Sequence, residues 1–304
     1  MQCQKDFLER IGAQAMRSRL GRLVLATLRP SFLSISLSRQ HSFRAAPSWR
    51  TELYTDSPPD LTGTLLDLCV LVPGVLESAD ILQEAIQSGS RSQPTILREL
   101  QRLMSHMVNI HEHLSHWLID FFHHNNSSAS ASPVIEEVYT HPSFSHGITP
   151  PTTPSSQFAS LVHAEALVIC WRALLSLQLT ALNFQSYTAT LPASRTTRIP
   201  VPYLDTTLTL THALARKIRR AMPYVFGCAI TRGILTCGLG PMVTVMQYFA
   251  GMPEEYGQEL RWYEELGRAV ERHYVTAAVA FERVCAMGVR SVPWWERRRV
   301  MGRR

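Results

Sequence analysis

The chain has 304 residues, of which 45% are hydrophobic and 18% charged, with a formal net charge of +6. That is ample apolar material for one large core or two smaller ones, so a globular fold is the default and disulfide staples are not needed. The positive excess is almost entirely arginine, since Lys5 and Lys217 are the two lysines.

Lys5, Asp6, Glu9 and Arg10 precede any apolar stretch, which is the reverse of a secretory signal. Residues 13–50 are rich in Arg and Ser and contain no acidic residue, a superficial match to a mitochondrial transit peptide. Across 61–86 the residues Leu65, Leu68, Cys69, Val72, Leu76, Ala79 and Leu82 recur at helical steps, and Pro73 predicts a kink or two short helices meeting there. Asp67, Glu77, Asp80 and Glu84 are expected on the solvated side of this segment, with Asp80 a candidate for a hydrogen bond to a neighbouring helix end. A second amphipathic helix starts near Pro94 and Thr95 and runs through Leu100, Leu103, Met107, Ile110, Leu114 and Trp117.

Residues 125–157 are crowded with Asn, Ser, Thr and Pro, and Pro142, Pro150, Pro151 and Pro154 exclude a continuous helix, so a long disordered loop is expected. The stretch 158–184 is apolar on most sides, with Glu165 and Arg172 its interior charges, and reads as the central helix of a bundle. Residues 204–222 form an amphipathic helix whose basic end (Arg216, Lys217, Arg219, Arg220) suits a helix C-terminus. The apolar segment 227–249 is expected to break at Gly238, Gly240 and Pro241, and 254–287 closes the fold with Trp262, Leu266, Val270, Tyr274, Ala277 and Phe281 buried. The runs 65–76 and 167–182 are interrupted by Asp67, Pro73, Arg172 and Gln178, so no membrane span is expected. No period-two strand pattern is evident. The expected fold class is all-α: a multi-helix bundle of an N-terminal part (1–124), a disordered loop (125–157) and a C-terminal part (158–304).

The chemistry-bearing residues are scattered. Cys3, Cys69, Cys170, Cys228, Cys237 and Cys285 form no CxxC pair and read as buried thiols in a reducing compartment. His106, His111, His113, His116, His123 and His124 lie in one segment, but Ser115 occupies the position of the second histidine of HExxH, so a solvated helix face is expected and no metal site. There is no GxSxG elbow, Walker A loop or GxGxxG, and CGLGP at 237–241 reads as a helix break. No catalytic residue and no cofactor are therefore assigned. Trp294 and Trp295 are expected to pack the last helix onto the core. Arg297, Arg298, Arg299, Arg303 and Arg304 form a basic tail suited to nuclear import or to contact with an anionic partner.

The order of segments carries a resemblance. A tryptophan in FRAAPSWRTELY (43–54) precedes the proline-broken LLDLCVLVPGVLESADIL (65–82). A helix ending in Trp117, a loop, FASLVHAEALVICWRALLSLQLTAL, ALARKIRRAMPYV, a Gly/Pro-broken helix and a Trp-bearing last helix follow. This succession resembles the C-terminal part of the fungal-specific transcription factor domain found downstream of six-cysteine binuclear zinc clusters, and residues 12–49 are similar to the middle of that domain. The zinc cluster is not in the sequence, where Cys3 stands alone with Cys69 as its nearest fellow. A shortened relative is expected, either a stand-alone regulator or a gene model that has lost its 5′ exons.

The resemblance implies a non-enzymatic, nuclear regulator of transcription linked to fungal specialised metabolism, with the cytoplasm as the alternative location. It implies contacts with other transcription regulators, with a homodimer partner or with a small-molecule effector, and no sequence-specific DNA binding by the chain alone. The alternative is an accessory protein or enzyme of a biosynthetic pathway without a recognisable active site.

Overall fold

In a computed structural model the described residues are 18, 29–30, 33, 37, 59–126, 135–138, 155–188, 204–228, 239–250, 256–258 and 260–265. They form an all-helical bundle with one short strand pair. Helix α1 (Leu61–Cys69) begins at Asp60, whose side chain accepts the Gly63 backbone N–H at 2.6 Å. Capping one of the orphan amides of the first turn in this way stabilises a helix by about 1 kcal/mol. Helix α2 (Val72–Ser88) follows almost at once, with Pro73 in its first turn, where no amide proton is required. The proline expected to break this segment thus starts its second helix. Gly89, at φ 63°, ends α2 in the left-handed conformation that a side chain disfavours.

Helix α3 (Gln93–Asn126) has 34 residues, which at 1.5 Å per residue makes it about 50 Å long. It outruns the expected end at Trp117 and brings His123 and His124 onto the same helix. The Trp117 indole N–H donates to the Leu61 carbonyl at 2.7 Å, fixing α3 against the start of α1.

Most of the stretch expected to be disordered, 125–157, lies outside the described residues. In its described parts Asn125 and Asn126 end α3, and β1 (Ile135–Val138) pairs antiparallel with β2 (Ser155–Phe158), one small strand pair beside a body that is helical as expected. In β2 Ser156 and Phe158 are buried while Gln157 is exposed, the alternation of a half-buried strand. Four residues are too few for that period to stand out from a Ser- and Pro-rich background. Phe158 fills the space between Trp171 and Tyr224, with ring centroids at 6.4 and 5.2 Å.

Helix α4 (Leu161–Thr188) is the central element foreseen for 158–184 and packs against α1, α2, α3, β2 and the two helices that follow it. Its residues from Ala166 to Leu175 are all buried, so it has no polar face. By length and composition alone the span Leu161–Gln185 is apolar enough to cross a membrane, and 67% of its most apolar window is buried inside the bundle, as in a core helix.

Helix α5 (Leu204–Cys228) carries Pro223 within it and continues past the cluster Arg216, Lys217, Arg219 and Arg220. No basic residue lies in its last turn, so the expected pairing of these charges with the helix dipole does not occur. Instead Arg219 is buried, and the Lys217 ammonium lies 5.9 Å from the Trp171 ring centroid. Helix α6 (Leu239–Ala250) starts where the Gly/Pro break was expected, with Gly240 and Pro241 in its first turn. Residues 256–258 and 260–265 are helical, with Tyr256, Trp262 and Tyr263 buried. Residues 266–304, including the rest of the expected stripe and Trp294 and Trp295, lie outside the described residues.

One ion pair ties the start of the chain to this bundle. Arg29, Leu33 and Leu37 are helical, four residues apart, and all buried, with the two leucines in the common core. The Arg29 guanidinium donates to the Asp67 carboxylate, and both side chains are more than nine-tenths buried. This corrects the expectation that Asp67 faces solvent: α1 is enclosed on most of its circumference, and residues from around position 30 cover the side that seemed free. Removing one member of a buried pair strands the other charge, so Arg29→Ala is expected to destabilise the fold by about 3–5 kcal/mol. Replacing both at once with apolar residues, as in R29M/D67L, should cost far less. Urea unfolding of the two variants checks this.

Candidate functional site

The interior contains polar side chains that an apolar bundle must satisfy, and they gather where helices meet. Gln178 on α4 is the first such point. Its Nε2 lies 3.1 Å from the His111 Nε2 on α3, and its Oε1 accepts the Thr211 hydroxyl of α5 at 3.1 Å. With the amide nitrogen turned to the ring, the imidazole accepts at Nε2 and carries its proton on Nδ1, which lies 3.5 Å from the Ser115 hydroxyl. The chain Thr211–Gln178–His111–Ser115 therefore joins three helices through one oriented amide. Burial of His111 holds its pKa below the usual value, and the nearby Glu112 opposes that shift.

Two further junctions have the same character. Arg172, buried on α4, donates from Nε to the Thr244 hydroxyl of α6 at 3.1 Å, and that hydroxyl donates to the Gly240 carbonyl at 3.1 Å. On α5, half-buried His212 meets two phenols. The Tyr256 hydroxyl is 2.6 Å from its Nε2, and the Tyr248 hydroxyl is 3.3 Å from its Nδ1. Tyr256 also stacks on Phe249 with centroids 4.5 Å apart.

Cys69 and Cys170 are fully buried free thiols, as expected. The Cys170 Sγ donates weakly to the Leu114 carbonyl at 3.9 Å. Burial pushes both thiols well above the ordinary range, with Arg29 opposing the shift at Cys69.

Of the histidines singled out in the sequence, His106, His113, His116, His123 and His124 lie on the exposed side of α3, the solvated face expected of them. His111 is the exception and points inward. Asp80 is exposed on α2. Arg297, Arg298, Arg299, Arg303 and Arg304 lie outside the described residues, as do Cys3, Cys237 and Cys285. Among the described residues, no three His, Cys, Asp or Glu side chains converge closely enough to hold a metal ion. The sequence reading missed the roles of Gln178, His111, Thr211 and His212. For His111 a signal existed, since it falls between Met107 and Leu114 in the apolar stripe.

No protein-family model, no curated protein and no solved structure matches the chain.

Arg172, Gln178, His111, Thr211 and Thr244 are therefore engaged with one another across helices, and this arrangement holds helices in register. Two outcomes follow. Because His111 has a lowered pKa in the fold, the unfolded chain takes up a proton near pH 6.5 that the folded chain refuses. The unfolded state binds more protons, so stability is expected to fall as pH drops below about 6.5. The loss should be shallower in His111→Gln, as measured by urea midpoints at pH 7.5 and 5.5. Cys69 and Cys170 should resist alkylation in the native protein and react on unfolding, as read by mass spectrometry of each cysteine peptide.

Proposed function

We propose that this protein is a non-enzymatic regulator of transcription, acting through contacts with other regulators, a second copy of itself or a small-molecule effector, with the nucleus as its site of action. One observation carries the reading. The buried polar side chains Arg172, Gln178, Thr211 and Thr244, with half-buried His111, bridge helices in the interior, as suits a body whose product is a shape for others to bind. Support also comes from the segment order, which resembles the regulatory domain of fungal zinc-cluster factors, and that resemblance motivates a link to specialised metabolism.

DNA readout needs an element that enters a groove with several side chains reaching base edges. The basic cluster on α5 is partly committed to packing, with Arg219 buried and Lys217 beside Trp171. Its remaining charge suits weak, salt-sensitive phosphate contact without a preferred site.

The test tethers the full chain to a heterologous DNA-binding domain upstream of a reporter in a fungal host. A change in reporter output of at least threefold is expected, and it should require the intact chain. An unchanged reporter with normal protein levels would overturn the proposal. The purified chain alone should enrich no motif from a randomised duplex pool at physiological salt.

A further inference from the structure

The outer face of α3 carries a pattern that its apolar inner stripe does not require. Arg102, His106, Asn109, His113, His116 and Asp120 follow one another at alternating steps of four and three residues, the spacing of a helix seam that meets a second helix along its length. All six are exposed. From Arg102 to Asp120 is 18 residue steps, or about 27 Å of helix axis. Among the described residues, neither Arg102 nor Asp120 is in an ion pair. Reversed, the seam is its own complement. Laid antiparallel on a second copy with Arg102 opposite Asp120, it places His106 opposite His116 and Asn109 opposite His113, and symmetry makes each pairing occur twice. The same register brings Glu99 opposite His123 at either end. A parallel pairing in register sets arginine against arginine and aspartate against aspartate, and like-charge repulsion decides against it.

We propose that this face is a self-association surface whose partner is a second copy of the chain, joined antiparallel along α3 with Arg102 of each copy against Asp120 of the other. Exposed ion pairs contribute little singly and the seam has no apolar centre, so the dimer is weak and reversible, with a Kd of about 10–100 µM. The seam depends on α3 persisting past Trp117, since Asp120 lies beyond it. The inference deepens the proposed function by choosing the second copy among its partners. It rests on that reading for its purpose alone, and self-association is measured without a reporter, so either can fail by itself.

The experiment follows self-association of the full chain by sedimentation velocity over about 5–200 µM protein at about 50 mM salt, where a monomer–dimer equilibrium is expected. Raising the salt to about 500 mM should weaken it roughly fivefold or more, because the paired charges are exposed. R102E sets acid against acid and D120R sets arginine against arginine, so each variant alone should associate about tenfold more weakly or worse. The double variant R102E/D120R, and an equimolar mixture of the two single variants, should regain the dimer of the unaltered chain. Two residues 18 steps apart on one helix cannot touch within a chain, so this rescue reports contact between copies. The substitutions are at the surface and leave folding nearly unchanged, which a circular dichroism spectrum of each variant checks. A chain that stays monomeric throughout the range, single variants that associate as the unaltered chain does, or a double variant and mixture that stay monomeric would each overturn the assignment.

Discussion

The burial of α4 is the constraint on which the rest of the structure depends. A 28-residue helix with no polar side must be surrounded, and the other helices and β2 are arranged to do so. The apolar area removed from water along Ala166 to Leu175 is the main source of cohesion, since hydrophobic burial is the dominant favourable contribution to folding. Trp171, in the middle of that run, is packed by Phe158 from the strand pair and approached by Lys217 from α5.

Surrounding such a helix leaves open how its neighbours are placed around it. Hydrophobic packing is non-directional, whereas a hydrogen bond inside a low-dielectric interior has a fixed partner and geometry. Arg172 and Gln178 are the buried polar residues described on α4, and each is used to select a neighbour. Arg172 meets α6, and Gln178 meets α3 and α5 together. A helix rotated by one residue would bury these groups without partners, at about 1–3 kcal/mol apiece, more for the charged one.

The same principle applies at the edge of the bundle. Asp67 is tolerated inside because Arg29 reaches it, and Arg29 comes from a part of the chain that a reading of 61–86 alone does not include. Coupling of this kind makes α1 dependent on residues more than thirty positions earlier. The resulting body has a buried polar skeleton and, on α3, a long solvent-facing ridge bearing histidines and carboxylates.

The sequence by itself determined the helical class, the central helix, the start of α2 at Pro73 and the start of α6 near Gly240 and Pro241. Periodicity and proline chemistry are local, and a helix that must hide apolar residues on all sides declares itself in a single stretch of chain. The tertiary structure alone decided the inward turn of His111, the burial of Asp67 and the end of α3 at Asn126. It also decided the fate of the basic cluster on α5, which the sequence placed at a helix end and the fold places within a helix, with Arg219 buried. The strand pair belongs with these, since two four-residue segments with sixteen residues between them become strands only when each finds the other. Where the partner is seen, it lies elsewhere in the sequence: Arg29 for Asp67, Gln178 for His111, β2 for β1. A side chain's environment is set by what packs against it, and that information is not contained in its own segment.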